Sequence, residues 1–436
     1  MRFRASEVAA AVGGRLVGPD VDVDGAAIDS RLVTTGQLFV PVVAGRDGHD
    51  FVAAALEAGA AAYLTARGPE GGTAVVVDDT VAALAALGRA ARARLPGRVV
   101  AITGSVGKTS VKDLLGAILR RRGPIAASAR SFNNELGVPL TLAGAPVQAW
   151  AAVVEMGSRA RGHLRLLCSI ARPTVGVVTA VAPVHTETFG TVDDVARAKA
   201  ELVEALPAHG TAVLNADDPR VRAMAKATVA SVLTFGTTED AAVSAGAVEL
   251  DAQLRPSFRL WSPAGEADVR LGVSGRHQVG NALAAAAAAL AAGAELDDVV
   301  EGLGEARLSE WRMALGRSPD GALILNDAYN ANPTSTVAAL RALAELDAER
   351  RMAVLGTMAE LGETSEGEHR AVAALAAELG VRLLAVAEPA YGAELVDDVD
   401  AALEALGPLG QGDAVLVKGS RVAGLERLAA RLLAPG

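Results

Sequence analysis

An apolar run, Val99-Val100-Ala101-Ile102-Thr103, leads directly into Gly104-Ser105-Val106-Gly107-Lys108-Thr109-Ser110 and then into the helix-like KDLLGAILRR. Strand, glycine-rich turn and helix in that order make a phosphate cradle. The glycines let backbone amides turn inward, the helix N-terminus favours an anion, and the lysine reaches the β and γ phosphates. The Thr109 hydroxyl adds a hard oxygen ligand suited to Mg2+. Gly104, Ser105, Val106, Gly107, Lys108, Thr109 and Ser110 are therefore the expected nucleotide contacts, with Lys108 also catalytic. The general pattern would put its first glycine at position 102, which is isoleucine here, so this loop is a variant form.

Other chemistry-bearing side chains stand where strands should end. Glu155 follows the apolar run from Trp150 to Val154, which would bring its carboxylate out at the carboxyl edge of a parallel sheet, where such folds bind ligands and where an acid can hold a metal. Capping or plain solvation is an equally common use of such an acid. His185 follows the run from Val175 to Val181, although a lone histidine is more often structural than a ligand. Thr191 and Asp194 have capping-box spacing, placing Lys199 two turns into a helix, where a solvated lysine is the ordinary outcome. Asn281 opens an alanine-rich helix, and Arg312 stands at a change of character near Ser309-Glu310-Trp311. Asp327-Ala328-Tyr329-Asn330-Ala331-Asn332-Pro333-Thr334-Ser335 closes the apolar run from Ala322 to Leu325, with Thr334 placed to cap the next helix.

The elements that must hold these groups alternate: VVAIT, AVVVEMG, TVGVVTAV, TAVLNA, ALILND, RMAVLG and DAVLVKG are separated by Ala/Leu-rich helical stretches. That alternation reads as α/β with largely parallel sheets. At 436 residues the chain exceeds one core, and about three domains follow, divided near Leu95-Pro96-Gly97 and near Ser309. Forty-one basic against 51 acidic side chains give a net charge of −10, which argues against general attraction to nucleic acid or anionic membrane. Cys168, the single cysteine, excludes an intrachain disulfide and reads as a small buried apolar residue in a reducing compartment. Glu7 interrupts the place of a signal-peptide core, and the alanine-rich run from Ala282 to Ala294 is too short to span a bilayer. No membrane insertion and a cytoplasmic location are expected.

These segments together resemble the Mur ligase family, beginning with its own form of the loop, TGSVGKT. Ser131-Phe132-Asn133-Asn134-Glu135-Leu136-Gly137-Val138-Pro139 is similar to the NNExGxP stretch of the branch that adds D-alanyl-D-alanine, which implies substrate contacts by Asn133 and Asn134. Glu155-Met156-Gly157 resembles the family's metal-binding glutamate. The run from Ala182 to Gly190 resembles AHxxxFG, with Val184 before the histidine, and implies a metal at His185. Lys199-Ala200-Glu201 resembles a KxE site that some members carbamylate with CO2, giving a ligand for a second Mg2+. The run from Gly275 to Leu283 resembles HNxxN, whose second asparagine contacts the ATP base, here Asn281, while Gln278 replaces the first. Arg312 resembles the arginine that reaches the nucleotide from the third domain.

DAYNANPTS implies Asp327 at the ATP ribose, with Tyr329, Asn330 and Asn332 near the reacting centre and Asn330 taking part in catalysis. GTMAELG and Lys418-Gly419-Ser420-Arg421 resemble two further family loops, the first with Thr357 in place of the usual aspartate. Asp29-Ser30-Arg31, Gly36-Gln37-Leu38-Phe39-Val40 and the run from Gly45 to Phe51 resemble the UDP-binding domain and imply that Ser30 and Arg31 contact the uridine diphosphate. The ligase for the preceding step carries DNPR in its third domain, whereas the similar Asp217-Asp218-Pro219-Arg220 lies here in the middle.

The resemblance thus implies a small N-terminal α/β UDP-binding domain (1–95), a central P-loop ATPase-like parallel-sheet domain (96–308) and a C-terminal Rossmann-like domain (309–436) that closes on ATP and binds the incoming dipeptide. The implied reaction joins D-alanyl-D-alanine to UDP-N-acetylmuramoyl-tripeptide, using ATP and Mg2+ and passing through an acyl phosphate, in a monomer that serves peptidoglycan synthesis. A paralogue with another amino acceptor, a folylpolyglutamate synthase-like ligase and a P-loop switch ATPase are the competing readings.

Overall fold

The computed structural model describes residues 1–128, 132–183 and 189–434. Three principal sheets follow one another along the chain, with a two-stranded ribbon of Arg2–Arg4 and Asp22–Asp24 beside the first. The first sheet runs Arg15–Val17, Ala74–Val76, Ala62–Thr65, Leu38–Phe39 and Ala26–Ala27 in spatial order. Asp79 accepts from the amides of Val81 and Ala82 and so starts the helix Thr80–Arg94, which packs on the helix Gly137–Ala143 of the next unit. Met1, Phe3, Leu38, Leu64 and Leu84 share one apolar core with Val99, Val138, Val154 and Leu167. This common core fixes the first unit against the second.

In the central sheet Val99–Thr103 lies between Ala151–Glu155 and Val175–Val178, parallel to both. From this strand the chain builds Ile125–Ala127 and Ala151–Glu155 on one side and then crosses to Val175–Val178 on the other, so the strand order reverses here and a crevice opens at its carboxyl end, where the glycine-rich turn begins. On one side the sheet ends at Ile125–Ala127. On the other it continues through Thr211–Asn215, Ser231–Gly236 and Val243–Ala245 to an antiparallel edge. The run expected to extend to Val181 stops pairing at Val178, because residues 179–182 turn away to bond with the glycine-rich loop. The alanine-rich helix is Gln278–Ala291; all its alanines but Ala291 are buried, and their small side chains bring it close to the helix Lys108–Arg120.

The third sheet runs Ala314–Arg317, Leu323–Asn326, Asp413–Lys418, Arg350–Leu355, Arg382–Val386 and Glu394–Val396, parallel except at its first strand. It sits in contact with the second unit. Leu254 of the central part packs with Met313, Leu325 and Leu340, Arg276 pairs with Glu345 at 2.9 Å, and Asp113 accepts from the amide and hydroxyl of Ser309 at 2.7 and 2.8 Å. Cys168 is buried beside Met156, and burial pushes its thiol up to about 12, in keeping with an inert core residue. Among the described residues no helix is long and apolar enough to cross a membrane.

Candidate active site

The glycine-rich loop is held in shape by the strand next to it. Gly104 (φ 150) and Gly107 (φ 85) have conformations that side chains rarely adopt, and a Cβ at Gly104 would overlap the Thr179 hydroxyl. Thr179 donates to the Val106 carbonyl at 2.5 Å, the Ser105 hydroxyl accepts from the Ala182 amide at 2.9 Å, and the Ser105 amide donates to Ala180. Asp218 accepts from the Val181 amide at 2.7 Å while capping the helix Pro219–Ala223, so the Asp-Pro-Arg run of the middle unit braces this segment. Lys108 is folded back on the loop, donating to the Gly104 carbonyl at 2.7 Å and lying 3.4 Å from that of Ser105. Burial lowers its pKa, as does the Arg312 charge, while Glu155 opposes the shift.

Glu155 occupies the place in register beside Ile102 that brings it to the mouth of the crevice. It is buried, yet each carboxylate oxygen has a donor: Thr109 gives its hydroxyl proton to one at 2.8 Å, and the Asn133 amide donates to the other at 2.9 Å. Asn133, expected at the substrate, is therefore also a support for this acid. Asn134 accepts from the Leu136 and Gly137 amides in the turn that opens the next helix. A hydroxyl and a carboxylate this close, both hard oxygen donors, fit Mg2+ better than a softer metal. Among the described residues no group of three or more His, Cys, Asp and Glu side chains forms a metal cluster; His185 lies outside the described residues. Asn133→Ala should lower ligation by about tenfold by freeing Glu155 to turn, and the loss should shrink at high Mg2+ in a titration of rate against metal concentration.

Thr191 and Asp194 form the expected capping box, and Lys199 follows on the helix Val192–Glu204. The solvated outcome does not apply, since Lys199 is 3% exposed. Burial first, and the charge of Lys108 second, hold its pKa well below that of an ordinary lysine. Glu201 faces elsewhere, accepting from the Gly162 and Arg165 amides at the start of the helix His163–Ala171.

Three loops from adjacent strand ends of the third sheet meet opposite this cluster. Lys418, 2% exposed, pairs with Asp327 at 2.5 Å and donates to the Asn330 carbonyl at 2.9 Å. Ser420 donates to the Ala331 carbonyl and accepts from the Ala359 amide, tying the loop after Arg350–Leu355 to the same place. The buried His369 accepts from the Met358 amide at 2.9 Å and steadies that loop from behind. Asn332, expected near the reacting centre, is the cap of the helix Pro333–Glu345, accepting from the Ser335 amide; Thr334 is not. Its capping oxygen is thereby committed to structure, because the first-turn amides of a helix have no internal partner.

Arg312 joins the two halves. Its guanidinium donates to the Thr109 hydroxyl at 2.9 Å and lies over the Tyr329 ring at 4.3 Å, while its buried Nε finds no partner among the described residues. Trp311 (φ 60) and Met313 (φ 50) on either side are both left-handed, a strain of about 1–3 kcal/mol each that local contacts must hold. Those contacts are the Tyr329 amide on the Trp311 carbonyl and the Met313 amide on Asp327. Arg312→Ala should reduce turnover by about a hundredfold, and Arg312→Lys should restore little of it because an ammonium cannot span the same two partners; steady-state rates at saturating nucleotide measure both.

Asn281 lies on the other side of the loop, its carbonyl oxygen against Gly107. Ser110 is buried in the first turn of Lys108–Arg120. Ser30 and Arg31 are not brought to this cluster by any described contact. Arg31 is exposed and forks onto Asp29, whose carboxyl it pulls down to about 2. The Gly45 to Phe51 run is a self-bonded loop in which Asp47 accepts from His49 and pairs with Arg67 at 2.5 Å. Thr179 carried no motif by which chemistry could have been assigned to it; Asp218 lay in the noted Asp-Pro-Arg run, and Lys418 and Ser420 in the noted KGSR turn.

A phosphate loop at a switch point, an acid at the neighbouring strand end and an arginine delivered from a second α/β sheet define a nucleotide-using enzyme whose site is built between two units. Family models agree: residues 102–289 match the Mur ligase middle domain, and residues 311–421 match the Mur ligase, glutamate ligase domain. The chain belongs to the Mur ligase family. It is 40% identical over 503 aligned residues to the UDP-N-acetylmuramoyl-tripeptide--D-alanyl-D-alanine ligase of Mycobacterium tuberculosis, covering 100% of this chain and 98% of that one. Among solved structures it is similar to MurF from Acinetobacter baumannii (TM-score 0.89, 31% identity, 99% of both chains). It is also similar to MurF ligase from Thermotoga maritima in complex with ADP (TM-score 0.82, 27% identity, 93% of this chain and 96% of that one).

Proposed function

We propose that this enzyme joins D-alanyl-D-alanine to UDP-N-acetylmuramoyl-tripeptide at the expense of ATP, the last peptide-adding step before the pentapeptide precursor of peptidoglycan. The observation that carries the reading is Arg312 reaching across from the third sheet onto Thr109 of the phosphate loop, in a chain aligned along its length with ligases of that name. Domain limits of 1–95, 96–308 and 309–436 match this division of labour, the first binding the UDP moiety through Ser30 and Arg31, the last receiving the dipeptide. A cytoplasmic monomer is the form proposed.

The tripeptide's terminal carboxylate attacks the γ phosphorus, the bond to the ADP oxygen breaks, and an acyl phosphate forms. The dipeptide amine then attacks the acyl carbon, phosphate leaves, and the amine gives up a proton. Lys108 and Arg312 neutralise charge on the transferring phosphoryl group, the chief demand in such transfers. Thr109, Glu155 and His185 would hold Mg2+, which would supply further neutralisation of phosphate charge. Asp327, steadied by Lys418, takes the ribose, Asn281 takes the base, and Tyr329 and Asn330 flank the reacting centre. With its pKa lowered, Lys199 presents the neutral amine needed to add CO2 with loss of a proton, and the resulting anionic carbamate would be able to hold a second Mg2+.

Phosphate release with ATP, Mg2+, the tripeptide nucleotide and D-alanyl-D-alanine, omitting each in turn, tests the proposal. Release only with all components, accompanied by pentapeptide product, is the expected result. Release without the dipeptide would favour a switch ATPase, and full dependence with another amino acceptor would mark a paralogue.

A further inference from the structure

Position 278 carries glutamine where the motif around it has asparagine, and its side chain is almost wholly buried at 2% exposure. A buried primary amide must spend both ends. The Gln278 Oε1 accepts from the Asn281 Nδ2 at 2.8 Å, and its Nε2 lies 3.1 Å from the His277 Nε2. The longer glutamine thereby spans from one neighbour to the other.

The order of donors along this chain has a chemical consequence. With Asn281 donating to Gln278, its Oδ1 is the edge turned to Gly107 of the phosphate loop. Rotating the Asn281 amide by half a turn would set its oxygen against the Gln278 oxygen, two acceptors in a buried place, which is unfavourable. In this order of donors Gln278 gives a proton to the His277 Nε2, a role open to a neutral imidazole, and burial, the leading influence on His277, lowers its pKa and favours that form.

We propose that Gln278 is a positioning residue for base selection: by fixing the Asn281 amide, it presents an acceptor to the nucleotide, which matches the exocyclic amine of adenine and opposes the carbonyl at the same place in guanine. This rests on the reading that Asn281 meets the base.

The test compares full-length wild type with Asn281→Ala, Gln278→Leu and Gln278→Glu, measuring kcat/KM with ATP and with GTP alongside KM for the tripeptide nucleotide. Gln278→Leu removes both bonds and should cut the preference for ATP over GTP by about tenfold, chiefly through KM for ATP, with KM for the tripeptide unchanged. Gln278→Glu keeps an acceptor for Asn281 and should retain most of the preference; thermal midpoints and this variant separate misfolding from mispositioning. If Asn281→Ala loses the preference while Gln278→Leu keeps it, the positioning role is overturned and the base reading stands. If Asn281→Ala itself leaves the preference intact, the base reading fails and the inference with it. Equal loss in both Gln278 variants would also overturn it.

Discussion

Lys108→Met should lower turnover by about three orders of magnitude while leaving the protein as stable as before, or more so. The ammonium is the only group of the phosphate loop that can carry charge to the β and γ phosphates, and the structure shows what it does meanwhile: it rests on the Gly104 and Ser105 carbonyls. Those are weak competitors for a polyanion. Burial and Arg312 both disfavour the charged form, so methionine, similar in volume, removes a desolvation cost along with the function. Single-turnover rates and urea midpoints separate the two. A variant that lost stability in proportion to activity would show that Lys108 holds the loop together rather than acting on phosphate.

The dependence on pH has a definite sign. A lysine whose folded pKa is lowered contributes stability that is fully present above about 10.5 and is lost as pH falls toward the folded value, because the unfolded chain takes up a proton that the folded one resists. Lys108 and Lys199 both shift this way, so stability should rise from neutral toward alkaline pH, with a smaller slope in Lys108→Met.

Lys199 carries the second large effect. Its replacement by alanine should cost about two to three orders of magnitude in rate, and wild-type activity should fall in CO2-depleted buffer and recover on adding bicarbonate. A helix lysine facing solvent would do neither. The expectation follows from burial first and the repulsion of Lys108 second, which together favour a neutral, nucleophilic nitrogen. Labelled CO2 followed by 13C NMR reads the carbamate directly. Indifference to CO2 together with no labelled carbamate would rule the modification out.

Much of this was legible along the chain. Local rules place the phosphate loop, because strand, glycines, lysine and helix are contiguous, and place the Thr191 cap, because capping spans a single turn. The same rules misplaced the cap in DAYNANPTS, assigning it to Thr334 where Asn332 serves; Pro333 suits the first helical position, which puts the cap just before it. The division into α/β units followed from β-branched runs alternating with Ala/Leu stretches. Motif resemblance carried the reading further than periodicity could, naming Glu155, Arg312 and Asp327 in one site although they lie far apart in sequence.

Tertiary structure decided what those residues lean on. Asn133 supports Glu155, Lys418 holds Asp327, Thr179 and Asp218 brace the glycine-rich loop, and Gln278 orders the amide of Asn281. None of these pairings has a sequence period, since each joins strand ends that become neighbours only once sheet order is set. The solvation of Lys199 was settled in the same way: helical periodicity says which face a residue lies on, but only packing against the rest of the protein says whether that face meets water. Sequence by itself thus named the candidate side chains and determined the loops that carry them, because those depend on contiguous backbone geometry; their partners and burial came from long-range packing.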